Sequence, residues 1–254
     1  MTRLPTDDRA AGTEAVVLRR IPFGETDLVV HFAARDLGRV ACFARSAMRS
    51  RRRFPSGFPS FALLEVHVGP PPRADAMRPV LDALVLRPNA AIAGDLPRFA
   101  AAGLIVELAR EVLPEEQPEP QAFDALAGYL VELDEGPFDW GGLLAAEMRL
   151  LAPLGLAPRL GHCLSCNAPA PPRKAAFFDV PRGGIVCRKC GGADRTIAGE
   201  VRARMLAALE PDAAPAPGSA VPDAACRDAH RTMVAFLEHH VGRRFRSTRL
   251  LEEV

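Results

Sequence analysis

Four cysteines form the clearest chemical pattern in the sequence. They make two Cys-x2-Cys pairs separated by 20 residues, and these residues are Cys163, Cys166, Cys187 and Cys190. Each pair places two sulfur atoms on one side of a tight turn, and two such turns facing each other supply the four thiolates of a tetrahedral zinc site. Asn167 and Gly191, which follow the two pairs, tolerate the left-handed backbone that such turns often require. The spacing therefore predicts a structural zinc site.

Other uses of these cysteines fit the pattern less well. A redox pair needs a single Cys-x2-Cys at a junction of strand and helix, and disulfides are rare in the cytosol. A catalytic zinc is disfavoured because four cysteine ligands leave no open position. His162 lies next to the first pair, but four thiolates suffice without it. Cys42 and Cys226 match no spacing and are predicted to be buried apolar residues.

A dense arginine cluster is the second chemical feature. The segment 35–53 contains a single acidic residue, Asp36, and seven arginines: Arg35, Arg39, Arg45, Arg49, Arg51, Arg52 and Arg53. No acidic residue lies among the last five, so pairing within the segment cannot account for them. The functional interpretation is a strip that binds phosphates. The alternative is a solvated loop in a protein whose basic residues are nearly all arginine, since Lys174 and Lys189 are its only lysines.

Aromatic residues near the cluster are few, namely Phe43, Phe54, Phe58 and Phe61. They offer one or two platforms for base stacking, so we expect binding to be directed mostly at the backbone and to depend strongly on salt. A second basic group near the end of the chain could extend the nucleic-acid surface or balance a helix C-terminus; it contains Arg243, Arg244, Arg246 and Arg249.

Composition restricts the function classes. Of 254 residues, 48% are hydrophobic and 25% charged, which is the balance of a globular protein, and the net charge is only +1. The charge is nevertheless uneven, since residues 1–80 and 161–254 are basic and 81–160 are acidic. No phosphate-binding loop, dinucleotide fingerprint, nucleophile elbow or catalytic histidine pattern occurs, so nothing in the sequence indicates an enzyme. Residues 1–12 have no signal-peptide core and no apolar run is of membrane-spanning length, which predicts a cytosolic protein.

Hydrophobic alternation predicts short strands in the first 88 residues. The predicted strands are 15–18, 27–32, 39–44, 61–68 and 80–86, and five strands in so short a segment indicate a small closed barrel or a sandwich. In the third strand, Val40, Cys42 and Ala44 are expected to share one face.

Helical spacing dominates from residue 89 onward. Helices are predicted at 89–113, around 123–133, at 143–154, 194–210 and 224–241, with an Ala/Pro linker at 211–222. Pro97 near the start of the first leaves open that 89–113 is two helices. The predicted core residues of the first helix are Ile92, Leu96, Phe99, Leu104 and Leu108. Between the cysteine pairs, residues 175–186 indicate a hairpin, which is how a zinc ribbon is built.

The order of these features resembles the bacterial RecO family of recombination mediators. The matching segments are 14–18, 24–30 and 37–40 before the basic loop, 147–158 before the first cysteine pair, the cysteine pairs themselves with Gly183 and Gly184, and 243–247. The specific part is the helix that ends in Leu-Gly-x2-Pro just before Cys163. The family's Lys-Gly-Ala-Arg-like turn after the third strand is replaced here by residues 44–49, which keep the positive charge.

The resemblance implies an α+β architecture. It has an N-terminal five-stranded OB-fold barrel for DNA binding at 1–88, then a helical domain at 89–254 with an inserted four-cysteine zinc ribbon at about 160–192. It also implies a non-catalytic protein that binds single- and double-stranded DNA and anneals complementary strands. Such a protein cooperates with RecR and single-strand-binding protein in loading RecA, at the nucleoid within the cytoplasm. The alternative from another functional class is a zinc-stabilised adaptor whose arginine clusters dock an acidic protein segment.

Overall fold

The computed structural model describes residues 12–171, 173–210 and 221–253. Most of the polar N-terminal segment and of the predicted linker at 211–222 lies outside these ranges. The chain divides into two compact units. The barrel unit is Met1–Ala90 with Leu113–Phe123, and the helical unit is Ala91–Val112 with Asp124–Val254. In the described ranges, no helix is both long enough and apolar enough to cross a bilayer.

Five strands of the barrel unit close into a barrel in the order β1-β2-β3-β5-β4. They are β1 (Thr13–Phe23), β2 (Asp27–Ala34), β3 (Gly38–Ala44), β4 (Leu63–Val68) and β5 (Arg78–Arg87). All neighbours are antiparallel except β3 and β5, which are parallel. The closed five-stranded barrel confirms the predicted architecture, and closure leaves no open sheet edge.

Alternating side chains fill the barrel interior. Val40, Cys42 and Ala44 are all buried, as the alternation of β3 predicted, and burial raises the pKa of the Cys42 thiol to about 12. Phe54 and Phe58, which follow the arginine-rich segment 35–53, also belong to this core. The first strand is longer than predicted and has a bulge between Val17 and Arg19, which changes the phase of its alternation.

The segment that follows the first long helix returns to the barrel unit. The backbone N–H of Arg39 donates to Pro114 O at 3.2 Å, and Glu116 N–H donates to Arg39 O at 2.9 Å. Gly38 adopts a φ of +73°, and a Cβ at this position would collide with the backbone carbonyl of Gln117. Glycine is therefore required where this acidic segment crosses β3.

The helical unit contains six described α-helices. They are α1 (Leu96–Val112), α2 (Pro120–Glu135, whose first residues belong to the barrel unit), α3 (Trp140–Leu151), α4 (Gly199–Ala207), α5 (Asp223–Val241) and α6 (Ser247–Glu252). A separate 3₁₀ turn at Ala90–Gly94 precedes α1. Asp139 caps α3 by accepting a hydrogen bond from Gly142 N–H at 2.8 Å.

The prediction that Leu96 and Phe99 are core residues of the first helix is wrong. Leu96 is 54% exposed and Phe99 is 42% exposed, whereas Ile92, Leu104 and Leu108 are buried. The reason is that the 3₁₀ turn and α1 are distinct elements, so one helical period does not run through both. Leu96 lies in the first turn of α1, and Phe99 shares a stripe with Gly103 on its less buried side.

A small three-stranded sheet interrupts the helices, with the order β7-β6-β8. Its strands are β6 (Ala176–Asp179), β7 (Gly184–Val186) and β8 (Arg195–Ile197). The predicted hairpin is thus confirmed as β6 and β7. The prediction of helix from residue 194 is wrong, because residues 195–197 pair with β6 and α4 begins only at Gly199.

Candidate metal centre and basic surfaces

The four predicted cysteines converge on one point of the helical unit. Their Sγ atoms all lie within 4.8 Å of one another; the residues are Cys163, Cys166, Cys187 and Cys190. His162 does not belong to this group. Cys163 is buried, Cys187 is half-buried, and the other two are exposed, so the cluster lies at the surface end of the ribbon.

Local backbone conformation explains how the two turns present their sulfur atoms. Asn167 has a φ of +57° and Gly191 a φ of +104°, which confirms the predicted left-handed positions after each pair. Asn167 N–H donates to Cys163 O at 2.9 Å, and Gly191 N–H donates to Arg188 O at 3.1 Å. Each turn therefore closes on its own backbone and directs its two thiols to the same side.

The four thiols differ in how readily they ionise. The backbone N–H of Cys187 donates to Cys163 Sγ at 3.3 Å and is the main cause that lowers the pKa of Cys163 to about 6. Hydrogen bonds with Cys187 and then Cys166 raise the pKa of Cys190 to about 12. Four thiolates in this space would repel one another, so a bound cation is what allows all of them to ionise.

A buried arginine fixes the ribbon to the following helix. Arg202 on α4 is 2% exposed, and its guanidinium donates to Leu160 O at 2.9 Å, to Lys174 O at 3.3 Å and to Pro171 O. One side chain therefore holds a backbone carbonyl before the first cysteine pair and two backbone carbonyls after it. The sequence patterns did not single out Arg202. The one signal for it is an arginine on the same helical face as Val201 and Met205.

The seven arginines of segment 35–53 do not share one environment. Arg35 pairs with Glu14 at 3.5 Å, and Arg39 donates to Leu113 O at 2.9 Å and approaches Glu115 at 4.0 Å. Arg53 donates to Arg45 O at 2.6 Å and to Ser50 Oγ at 3.4 Å, and its guanidinium lies 5.1 Å from the centre of the Phe54 ring. These three guanidinium groups are engaged by the protein itself.

The remaining four arginines are exposed, and we call them the basic loop: Arg45, Arg49, Arg51 and Arg52. Among the described residues, no ion pair joins any of them to a carboxylate. Arg51 makes one long contact of 3.5 Å to Pro55 O. Four positive charges therefore face solvent on a segment whose buried residues, Phe54 and Phe58, anchor it in the barrel core.

A partly exposed aromatic pair, Phe23 and Phe43, lies on the outer face of the same barrel. Phe23 is 59% exposed, and its ring packs edge-to-face on Phe43 with 5.5 Å between centroids. Strand register places Phe43 opposite Val29 and Val29 opposite Ile21, so the pair shares one face across three strands. Met48 N–H donates to Thr26 O at 3.0 Å, which brings the basic loop beside the turn that follows Phe23.

Phe43 is therefore the only one of the four predicted aromatic candidates that is not buried. Phe54, Phe58 and Phe61 are buried, so they cannot stack on a base. Phe23 was not predicted as a site residue, because the predicted first strand ends at residue 18. The signal was the alternation of Arg19, Ile21 and Phe23 beyond the bulge.

The four arginines of the C-terminal basic group do not share one environment. Arg243 pairs with Glu111 at 3.4 Å, whereas Arg244, Arg246 and Arg249 line a cavity beside α5 and α6.

Comparisons with known proteins agree along the chain. A model of the N-terminal part of recombination protein O matches residues 10–78, and a model of its C-terminal part matches residues 93–249. A protein of Anaeromyxobacter dehalogenans (strain 2CP-1 / ATCC BAA-258) is 39% identical over 251 residues, 97% of each chain. One of Anaeromyxobacter sp. (strain Fw109-5) is 37% identical over 94% of each chain, and one of Myxococcus xanthus (strain DK1622) is 32% identical over 95% of this chain and 96% of its own. All three are named DNA repair protein RecO.

Proposed function

Since the chain belongs to the RecO family of DNA repair proteins, we propose that it is a non-catalytic mediator of DNA repair and recombination. In this role it binds single- and double-stranded DNA and anneals complementary strands. With RecR it helps load RecA onto single strands covered by single-strand-binding protein, and its place of action is the nucleoid.

The basic loop is the observation that carries this proposal. Its four exposed guanidinium groups have no carboxylate partner within the described residues, and guanidinium groups bind phosphate oxygens in a bidentate manner. Contacts to phosphates leave the base edges free, which a protein that pairs two strands requires. We assign the phosphate contacts first to the basic loop, with Arg35, Arg39 and Arg53 at its border.

The aromatic pair adds a contact that distinguishes single strands from duplexes. Phe23 presents most of its ring to solvent beside the basic loop, and bases stack on aromatic rings only when they are unpaired. One such platform orients a strand without holding many of its bases, so annealing can proceed.

The metal in this proposal is a structural zinc ion. A tetrahedron with Zn–S bonds of about 2.3 Å has sulfur atoms about 3.8 Å apart, and the Sγ atoms of Cys166 and Cys187 are 3.8 Å apart. Four sulfur ligands suit Zn²⁺ and leave it no open position. Zinc would hold the ribbon together, with Arg202 fixing the ribbon to α4.

The proposal is tested with a fluorescent mixed-sequence single strand at several salt concentrations, followed by its unlabelled complement. We expect salt-sensitive binding and then annealing that is faster than the uncatalysed reaction. Absence of binding even at low salt would overturn the proposal and favour an adaptor that binds an acidic protein segment.

A further inference from the structure

A second basic site lies wholly within the helical unit. A cavity of about 880 Å³ is bordered by α5, α6 and the first residue of β8. Among the described residues, two carboxylates line it, Glu238 and Glu252. Its arginines are Arg195, Arg227, Arg231, Arg244, Arg246 and Arg249. Guanidinium groups therefore outnumber carboxylates three to one, although the whole chain is almost neutral.

The fold brings two arginine pairs to this cavity. Arg227 and Arg231 are four residues apart on α5, and Arg246 and Arg249 are three apart at the start of α6. Residues at these spacings lie on the same helix face, where like charges repel. The buried Glu107 carboxylate holds α6 in place by accepting hydrogen bonds from Arg246 N–H at 3.1 Å and Ser247 N–H at 2.8 Å. The guanidinium groups of Arg246 and Arg249 are thus held near each other by a hydrogen-bonded backbone, and not by ion pairs with carboxylates.

The cavity arginines have little negative charge to neutralise them. Arg231 pairs with Asp228 at 3.2 Å, and Arg227 lies over the Trp140 ring at 4.8 Å. One oxygen of Glu238 accepts a hydrogen bond from Phe245 N–H at 3.0 Å. In the described part of the chain, no ion pair joins a carboxylate to the other four, which are Arg195, Arg244, Arg246 and Arg249. An occupant with several spaced negative charges would satisfy them.

We propose that this cavity binds the phosphate backbone of a polynucleotide strand, which gives the chain a second nucleic-acid site made of residues other than the basic loop. The inference rests on the proposed function, because a second site would let one chain hold both strands that are to be annealed. Repeating phosphates suit arginines spread over α5, α6, β8 and the segment before α6 better than one compact anion would. Trp140 is buried under Arg227, so this site would contact the backbone and not stack on bases.

The test counts the bound strands. The probe is a fluorescent oligothymidylate of about ten nucleotides, a length that fits single binding sites of this kind. The cavity variant carries Arg195→Gln, Arg246→Gln and Arg249→Gln, and the side chain of Arg246 makes no capping hydrogen bond to α6. The matched control carries Arg149→Gln, Arg173→Gln and Arg182→Gln, which remove three exposed charges of the helical unit away from the cavity.

We expect the unaltered chain and the control to bind two oligonucleotides and the cavity variant to bind one. For the binding event that the cavity variant loses, the slope of log affinity against log salt concentration should be about −2, from three phosphate contacts at about −0.7 each. A variant in which Gln replaces the four arginines of the basic loop should lose the binding of the other oligonucleotide. Circular dichroism melting shows whether the cavity variant keeps its helices.

Two bound oligonucleotides in the cavity variant would overturn the inference. If the basic-loop variant still loses one event, the proposed function survives that result. An octaglutamate peptide that binds the unaltered chain but not the cavity variant, with only one oligonucleotide bound, would mean that the cavity takes an acidic protein segment. Absence of any oligonucleotide binding would refute both the inference and the proposed function.

Discussion

The salt dependence of DNA binding gives a quantitative test of the basic loop. The perturbation replaces Arg45, Arg49, Arg51 and Arg52 with Gln, which keeps a polar side chain and removes the charge. All four are exposed, and none is joined to a carboxylate within the described residues. Arg39 and Arg53 are left unchanged because their guanidinium groups bind backbone carbonyls of the protein.

The expected magnitude follows from counterion release. Each phosphate contact on a single strand contributes about 0.7 to the log–log slope, so four contacts contribute about 2.8. Between about 50 mM and 200 mM salt, a fourfold change, the unaltered protein should lose about 50-fold more affinity than the variant. The measurement is fluorescence anisotropy with a labelled mixed-sequence single strand at four or more salt concentrations.

A matched control separates local contacts from net charge. Arg149, Arg173, Arg182 and Arg204 are exposed arginines of the helical unit, each paired with a carboxylate. Their replacement by Gln removes the same four charges and should leave the slope within about one contact of the original. Equal slopes for the two quadruple variants would refute the assignment of the basic loop, whether both fall or neither does.

Three further predictions concern the metal, the aromatic platform and a helix cap. Metal analysis of the purified protein should find about one equivalent of zinc. The Cys166→Ala variant should hold less than about half an equivalent, and the control variant Cys226→Ala should hold as much as the unaltered protein. A metal-free unaltered protein would contradict the four-thiolate site. Phe23→Ala should weaken single-strand binding by about 1–3 kcal/mol and leave duplex binding unchanged in a titration, with the equally exposed Leu84→Ala on β5 as control; an equal loss on both DNA forms would argue against stacking. Glu107→Ala should lower the free energy of unfolding by about 1–3 kcal/mol, because it leaves two N–H groups of α6 without an acceptor; denaturant unfolding measures this, and an unchanged midpoint would show that the cap contributes nothing.

Local patterns were sufficient for much of the fold. Alternation predicted every strand of the barrel and the inward face of β3, because a residue's face in a strand follows directly from its position. The Cys-x2-Cys spacing predicted the sulfur cluster and its two left-handed positions, because each turn closes over a few residues. Helical spacing predicted the buried residues of α2, which include Phe123, Leu126 and Leu130.

Errors arose where an element depends on a distant partner. Residues 195–197 form a strand because β6 offers them a free edge, although the sequence continues smoothly into helix. The short α6 was not predicted, since its N–H groups are satisfied by Glu107, which lies 140 residues before Ser247. Phe99 lies seven residues after the buried Ile92, which is a helical spacing, but Ile92 belongs to the separate 3₁₀ turn and Phe99 lies on an exposed side of α1.

The sequence by itself determined the five strands, the four-sulfur cluster and a basic segment, because these depend on short-range periodicity and turn chemistry. Alternation left a closed barrel and a sandwich both open, because closure depends on pairing between distant strands. Only the tertiary structure decided which arginines face solvent. Arg39 and Arg53 are identical in type to Arg49 and Arg52, but the carbonyls that engage them come from Leu113 and Arg45. A side chain's charge is fixed by its type, whereas its availability to a ligand depends on which atoms the folded chain places around it.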